Sequence, residues 1–395
     1  MRILIGTVTA GAGHLAAAAA LDEAWRGLCP GDTIEKLDLS KFFSPLHRKV
    51  VSEGYVTLVE KAPELWGMMF KKTDDPRLTR RMNRIKQIFP SRSRLKFVRH
   101  LKHFKPDVVL CTHYSPLETL GQLRRRELKR DGRAKAHGGA RTSLSAESIQ
   151  CDPRPFVVSV VTDFEAHALW MDHCVDLYFV AAEETKARLV ARGAASESII
   201  ATGIPISGRF TLKTDPKAVR SRMGLRDDQA VFLVLSGGFG MGPVAEILRA
   251  LDNVSHPFQT VVVTGRNEEL RRQLAAEDRK HPTHILGFAS NMHELMAISD
   301  LIITKPGGLT SSEALALGKP LFILNPIPGQ EAANSDLLLE RGAALKVNRV
   351  EDLPFRVAQL LSGKKLPQLS RAAKSLGRPN AALEICREVL KRTEA

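Results

Sequence analysis

Short runs of consecutive apolar, mostly β-branched residues alternate along the chain with longer stretches whose apolar residues recur every three or four positions. The runs are RILIGTV (2–8), DVVLCTH (107–113), FVVSVVT (156–162), DLYFVA (176–181), VFLVLSG (231–237), TVVVTG (260–265), DLIITKP (300–306) and PLFILN (320–325). Strands that are apolar on both faces belong in a parallel sheet covered by helices on each side, so the chain reads as α/β. The alternation runs through residues 1–200 and restarts near 230, which predicts two doubly wound domains parting near GIPISGRF (203–210). We place an N-terminal domain at 1–205, a C-terminal domain at 206–375 and a terminal helix within 376–395, carried by the amphipathic NAALEICREVLKR (380–392). A length of 395 residues suits two domains.

Two segments break the alternation. Residues 130–154 are poor in large apolar side chains and rich in Gly, Ser, Ala and Arg, the composition of a mobile loop. Residues 41–105 show no clean strand. There Leu78, Met82, Ile85 and Ile88 interleave at helical spacing with Arg77, Arg80, Arg81 and Arg84, which predicts two or more amphipathic helices with cationic faces.

Charge sharpens that second segment. The chain carries a net charge of +15, and residues 41–105 hold 17 Lys and Arg against 5 Asp and Glu, a surplus of 12. A basic surplus confined to amphipathic helices is the pattern of an element that lies on an anionic membrane surface. The plainer alternative is a solvated helical face packed on its own domain. No nucleic-acid recognition motif accompanies the charge, so nucleic acid is not expected as a partner. No apolar stretch approaches the roughly 20 residues that span a bilayer, and the N-terminus does not read as a signal peptide. The five cysteines, Cys29, Cys111, Cys151, Cys174 and Cys386, are widely spaced, which argues against a disulfide framework or zinc site and fits a reducing cytoplasm. The expected location is cytoplasmic, peripheral on the inner face of the cell membrane.

Candidate chemistry collects just after the strands. Gly11, Ala12, Gly13 and His14 follow the first strand and open an alanine-rich helix; glycines there let backbone N–H groups approach an anion, and a histidine can serve as general base at neutral pH. The plain reading of His14 is a helix cap. Thr162-Asp163-Phe164-Glu165-Ala166-His167-Ala168-Leu169-Trp170 follows another strand, and Asp163, His167 and Trp170 could line a cleft or pack locally. Ser236 to Pro243 holds four glycines, Gly237, Gly238, Gly240 and Gly242, in six residues, suited to a phosphate cradle or to a flexible turn. Thr304 to Glu313 is the richest. Gly307 and Gly308 turn the chain, Thr310 is the expected N-cap, and Glu313 falls at capping-box spacing. Its functional alternative is a carboxylate that accepts hydrogen bonds from two sugar hydroxyls. Asn325 to Glu331 ends in Gln330 and Glu331, hydroxyl-binding groups at a helix start. No Walker loop, GxSxG elbow or HExxH motif is present.

Taken together, GAGH (11–14), DFEAHALW (163–170), LSGGFGMG (235–242), GFASNMHELM (287–296), TKPGGLTSSEALALGKP (304–320) and NPIPGQEAANS (325–335) resemble the diacylglycerol glycosyltransferases. These comprise the monogalactosyldiacylglycerol synthases and the processive diacylglycerol glucosyltransferases. The match runs in order from residue 1 to about 345 and departs in the 130–154 loop. The resemblance implies a GT-B fold, two Rossmann-like domains facing across a cleft with the last helix crossing back to the N-terminal domain. It implies a UDP-hexose donor on the C-terminal domain, diacylglycerol or a related lipid as acceptor, and no cofactor or metal. Carried over by motif, Glu313 holds the ribose. Gly307, Gly308, Leu309 and Thr310 hold the diphosphate near Gly237, Gly238 and Gly240, with Gly265 and Asn267 counted on the same donor side. Phe288 meets the uracil, and Gln330 and Glu331 meet the sugar. His14 is the base, with Asp163 and His167 beside the acceptor, and Gly11, Gly13 and Trp170 on the acceptor side.

The chemistry expected is inverting transfer, with one base for the acceptor hydroxyl and a helix N-terminus for the leaving diphosphate. Rival expectations on the same layout are transfer to another lipid such as a polyprenyl diphosphate, or a UDP-N-acetylglucosamine 2-epimerase. The basic segment counts against the epimerase. A non-enzymatic binding protein would have no use for His14.

Overall fold

In a computed structural model of the protein, residues 1–9, 11–44, 54, 58–59, 61–75, 78, 92–136, 154–237, 242–324 and 326–394 are described, with 127–136 described in backbone alone. The first sheet holds β1 (Arg2–Thr7), β2 (Thr33–Asp38), β3 (Val108–Cys111), β4 (Phe156–Val160), β5 (Leu177–Val180) and β6 (Ile199–Ala201). Its order is β2-β1-β3-β4-β5-β6, parallel throughout. The second holds β7 (Ala230–Leu235), β8 (Phe258–Val263), β9 (Thr283–Leu286), β10 (Leu301–Thr304), β11 (Leu321–Leu324) and β12 (Ala344–Val347). Its order is β12-β11-β10-β7-β8-β9, again parallel. This is the two-domain α/β architecture expected.

All eight predicted strands form. The four unexpected ones, β2, β6, β9 and β12, are the four sheet edges. A central strand is covered on both faces and on both sides, so it reads as one apolar run, as in the fully buried VVLC of β3 and LIIT of β10. An edge strand is only partly covered. TIEKLD in β2 and THIL in β9 stay largely half-exposed and carry no such run.

The helices around the first sheet are α1 (Ala12–Leu28), α2 (Pro63–Thr73), α3 (Arg92–Phe104), α4 (Tyr114–Ala136) and α5 (Glu183–Ala191). Around the second lie α6 (Pro216–Arg222), α7 (Val244–Leu251), α8 (Glu268–Ala275), α9 (Met292–Ile298), α10 (Gly308–Ala316), α11 (Gln330–Glu340), α12 (Leu353–Ser362) and α13 (Lys365–Leu376). The chain ends in α14 (Ala381–Thr393). In α1 a run of alanines, the strongest helix former, supplies the helix, while Ala17, Ala18, Leu21 and Trp25 form its buried stripe. Pro30 follows Cys29 at its end and bars continuation. The small alanines also let the second domain come close: Ala17 and Phe164 share one core with Leu309 and Leu315.

The last helix crosses back as expected. Ile385, Cys386 and Val389 of α14 are fully buried against Ile3, Leu21 and Trp25 of the first domain. At about 1.5–3 kcal/mol for each large apolar side chain buried, this strap contributes several kcal/mol.

The segment 41–105 is helical where it is described, in α2 and α3, with no strand among its described residues. In α3, Phe97, Leu101 and Phe104 face the core while Lys96, Arg99 and Lys102 stay exposed, the amphipathic pattern predicted. The expectations for Arg77, Arg80, Arg81, Met82, Arg84, Ile85 and Ile88 lie outside the described residues. The loop expected at 130–154 is corrected at its start: 130–136 continue α4 as helix, and 137–153 lie outside the described residues. Leu117 and Leu120 anchor the first turns of α4, and helix propagates from an anchored start at little cost per residue. The four described cysteines are free. No helix of the described residues is long and apolar enough to cross a membrane.

Candidate active site

Each sheet reverses its strand order once, between β1 and β3 in the first and between β10 and β7 in the second. Loops leaving such a switch point part to opposite faces and open a crevice at the strands' carboxyl ends. The clusters read from the sequence emerge at or beside one of these two places, except 287–296 with Phe288, which follows the edge strand β9.

At the first switch point, His14 stands at the third position of α1, whose N-cap is the extended Gly11. His14 is not a cap. Its Nδ1 lies 2.8 Å from the Thr112 carbonyl oxygen and 2.9 Å from Thr162 Oγ1. A carbonyl can only accept, so Nδ1 carries the proton, and Nε2 is left with a lone pair and no hydrogen-bond partner among the described residues. The His113 ring meets His14 edge-on at 4.8 Å, and Trp170 lies 6.3 Å away. His113 Nδ1 in turn accepts from the Ser115 backbone N–H. Burial holds the His14 pKa below the ordinary histidine value, opposed by the nearby Asp163 carboxylate. The neutral, base-competent form therefore dominates at neutral pH.

Asp163 is tied across the domain boundary. Asn334 of α11, fully buried, donates from Nδ2 to Asp163 Oδ1 and to the Pro306 carbonyl, each at 3.0 Å, and accepts from the Phe164 N–H at 2.8 Å. Burial raises the Asp163 pKa, opposed by the Asn334 hydrogen bond and by His14. His167 Nδ1 accepts from the Leu169 N–H and its Nε2 faces the Phe70 carbonyl at 3.1 Å, so the ring ties its own turn to α2. Trp170 is buried beside Tyr114 and the two histidines.

The second switch point is made largely of backbone. Gly307 is the N-cap of α10 and no side chain caps that helix. The capping box expected of Thr310 and Glu313 is thus absent: the helix starts three residues earlier than predicted, which puts Thr310 inside its first turn. The first-turn N–H groups of α10 have no partner within the helix and point out of its end. Gly308 abuts the other domain so closely that a methyl group there would stand 2.1 Å from the Thr162 carbonyl oxygen. Leu309 likewise reaches Gly13, 3.5 Å from where a Cβ would be. The helix end is thereby held directly against the chain leaving β4, beside Asp163.

Glu313, one turn into α10, makes no hydrogen bond or ion pair among the described residues. Burial pushes its pKa up to about 8. It lines a cavity of about 330 Å³ between the domains, with Ala16 and Ala20 of α1, Arg209 and Phe210 of the connecting segment, and His293 of α9. A buried carboxylate without a partner is costly in the empty site and is satisfied by a ligand that brings hydroxyl donors.

Gln330 and Glu331 open α11. Glu331 Oε2 accepts from the Ile327 N–H at 2.9 Å, and burial raises its pKa against the pull of Lys305. Phe288 is 70% exposed, with the Arg266 guanidinium 5.9 Å over its ring. Asn267 caps α8 through the Leu270 N–H. Gly237 and Gly265 take the left-handed backbone at φ +75° and +63°. Gly238, Gly240 and Asn325 lie outside the described residues.

The sequence reading missed Thr112, His113, Thr162 and Asn334. Thr112 and His113 had a signal, since they follow β3, a strand that borders the switch point, where ligand-facing residues stand. Asn334 had only its polarity within a helix to mark it.

Two Rossmann-like domains closed on a cleft, with a lone-pair histidine on one side and a helix N-terminus and an unpaired carboxylate on the other, form the GT-B architecture. Among solved structures, Acinetobacter baumannii MurG matches with a TM-score of 0.59 at 16% identity, over 99% of this chain and 100% of that one. The UDP-GlcNAc 2-epimerase of Neisseria meningitidis, solved with UDP-GlcNAc bound, matches at 0.56 and 14%, over 99% and 100%. The family described as Monogalactosyldiacylglycerol (MGDG) synthase matches residues 14–131 and 140–206, and Glycosyl transferases group 1 matches 217–376. Processive diacylglycerol beta-glucosyltransferases from Bacillus cereus (strain 03BB102) and Bacillus thuringiensis (strain Al Hakam) are each 30% identical over 396 residues, 98% of this chain and 93% of theirs. The chain belongs to the diacylglycerol glycosyltransferase family.

Proposed function

We propose that the protein transfers a hexose, glucose or galactose, from a UDP-hexose to the free hydroxyl of diacylglycerol with inversion at the anomeric carbon, while docked on the inner, anionic face of the cell membrane. The observation that carries the reading is the His14 imidazole. With Nδ1–H directed at the Thr112 carbonyl, Nε2 is the free base of the cleft. It takes the acceptor proton as the acceptor oxygen attacks C1 of the sugar. The bond from C1 to the diphosphate oxygen breaks on the opposite face, and UDP leaves with the electron pair. The charge that develops there is met by the first-turn N–H groups of α10, fixed in place before reaction by the contact of Gly308 with Thr162. In this reading no metal or other cofactor is called on. Glu313 accepts from the two ribose hydroxyls, Phe288 borders the uracil, and Gln330 and Glu331 face the hexose. Asp163 acts beside His14, where its carboxylate favours the imidazolium formed as the proton arrives.

The test is an assay with radiolabelled UDP-glucose and UDP-galactose on vesicles containing diacylglycerol, with the product's anomeric configuration read by NMR. A β-linked glycolipid is the expected product. A product that retains the donor's configuration, or label that stays on the nucleotide sugar while UDP-N-acetylglucosamine is epimerised, would remove the reading.

A further inference from the structure

Helix α2 joins two surfaces that the transfer reaction does not itself connect. Its outward face carries Leu65, Met68 and Met69, which are 46%, 57% and 47% exposed, and the helix buries no residue of its own. At 100° per residue these three and Lys72 share one side, with Glu64 and Lys71 at its margin. A soluble surface rarely displays three large apolar side chains together without a partner.

The inward face is held from both domains. On the first domain's side, the Phe70 carbonyl faces His167 Nε2 at 3.1 Å, and the Phe70 and His167 rings lie 4.5 Å apart. Asp74, the C-cap of α2, accepts from the Ala168 N–H at 2.8 Å and pairs with Arg192 at 2.6 Å. On the second domain's side, α2 leans on the loop that opens α11. A methyl group at Gly67 would stand 2.8 Å from Pro328 Cβ. Gly329 has φ +99°, and a methyl group there would meet the Phe70 ring at 2.8 Å. Only glycine permits either approach. The residues that follow are Gln330 and Glu331.

We propose that α2 couples membrane docking to the donor site: seating Leu65, Met68 and Met69 in an anionic bilayer fixes α2 against Pro328 and Gly329 and so orders the Gln330–Glu331 end of the donor pocket. This deepens the proposed function and rests on it. The occupant is an anionic lipid surface because the apolar side carries Lys72 and has Lys71 at its margin against a single carboxylate, Glu64, which suits acyl chains beneath acidic headgroups. A ligand that immobilises one side of a shared contact lowers the ordering cost of a second ligand on the other side.

The test uses the full chain and vesicles without diacylglycerol, so that no turnover intervenes. Binding of UDP-glucose and UDP-galactose is measured by calorimetry alone, with neutral phosphatidylcholine vesicles, and with vesicles containing phosphatidylglycerol. Anionic vesicles should tighten the bound donor about fivefold or more, and neutral vesicles should not. Met68→Glu with Met69→Glu should abolish vesicle cosedimentation and the tightening together, while leaving donor affinity in solution unchanged. Gly67→Val, which pushes α2 off Pro328, should keep cosedimentation and lose the tightening. Three results overturn the coupling: donor affinity indifferent to bound anionic vesicles, the double variant binding vesicles as the parent does, or Met68 and Met69 serving self-association of the chain and not vesicle binding. If neither nucleotide sugar binds in any arm, the donor reading itself fails and the coupling falls with it.

Discussion

At the first sheet's switch point the cleft is lined by side chains: the His14 and His113 rings edge-on, Thr162 on the His14 nitrogen, Asp163 behind, Trp170 beside. At the second sheet's switch point the corresponding place is taken by glycines and the bare end of α10, and Glu313 has no hydrogen-bond or ion-pair partner among the described residues. The same doubly wound topology thus serves two physical tasks. Moving a proton needs a group whose pKa can be set near working pH, and burial and one neighbouring charge set it. Holding a diphosphate needs donors that are already oriented and pay no reorganisation when charge develops, and helix N–H groups supply them. In the proposed reaction the first cleft handles protons and the second handles fixed negative charge.

The hardest test of that division is His14→Ala. It should lower kcat by about 10³-fold, within the usual range for removing a general base, and leave the Kd for UDP unchanged by calorimetry. A comparable loss of UDP binding would erase the distinction between the two clefts. The converse variant, Glu313→Ala, removes the acceptor of two hydroxyl hydrogen bonds. It should weaken UDP by about 30- to 100-fold while kcat at saturating donor stays within a few-fold, since charge-assisted hydrogen bonds contribute about 1.5–3 kcal/mol.

How much of this was readable beforehand follows from burial. Strands covered on all sides, such as β3 and β10, leave unbroken apolar runs, whereas β2, β6, β9 and β12 at the edges leave patterns indistinguishable from loop. Glycine clusters and the residues beside them were legible because turns after strands demand them. The contact of His167 with α2 was not readable, because a histidine after a strand looks the same whatever its ring touches. Thr162 and Asn334 were silent for a related reason: their partners, His14 and Gly308 in one case and Asp163 and Pro306 in the other, are far apart in sequence.

Asn334 is where that boundary can be tested, and its effect should be smaller. Asn334→Ala leaves the Phe164 N–H unpaired and frees Asp163 from its donor, both in buried surroundings. Each orphaned group costs about 1–3 kcal/mol, so thermal unfolding should show about 2–4 kcal/mol of lost stability. Turnover should fall about tenfold, because Asp163 loses the contact that ties it to Pro306 and hence to the start of α10. Combined with His14→Ala, the second loss should largely vanish, since Asp163 then has no imidazolium to favour. A fully additive pair would show that Asn334 supports the fold alone.

The smallest effect concerns proton linkage at the second cleft, and its sign is fixed by the Glu313 environment. Burial without a partner raises the Glu313 pKa to about 8 in the empty site, so the carboxyl is mostly protonated at pH 7. Ribose hydroxyls are bound by the ionised form. UDP affinity should therefore rise several-fold between pH 7 and pH 8.5 and fall as pH drops through the empty-site pKa, with a proton released on binding that is measurable as buffer-dependent heat. Glu313→Gln keeps a carbonyl acceptor and removes the titration, so its UDP affinity should be flat over that range. His14 would give a different profile, because its pKa is displaced downward and its effect belongs to kcat below neutrality. If the Glu313→Gln profile keeps the rise, the proton belongs to another group, and Glu331, whose pKa burial also raises, is the one next to test.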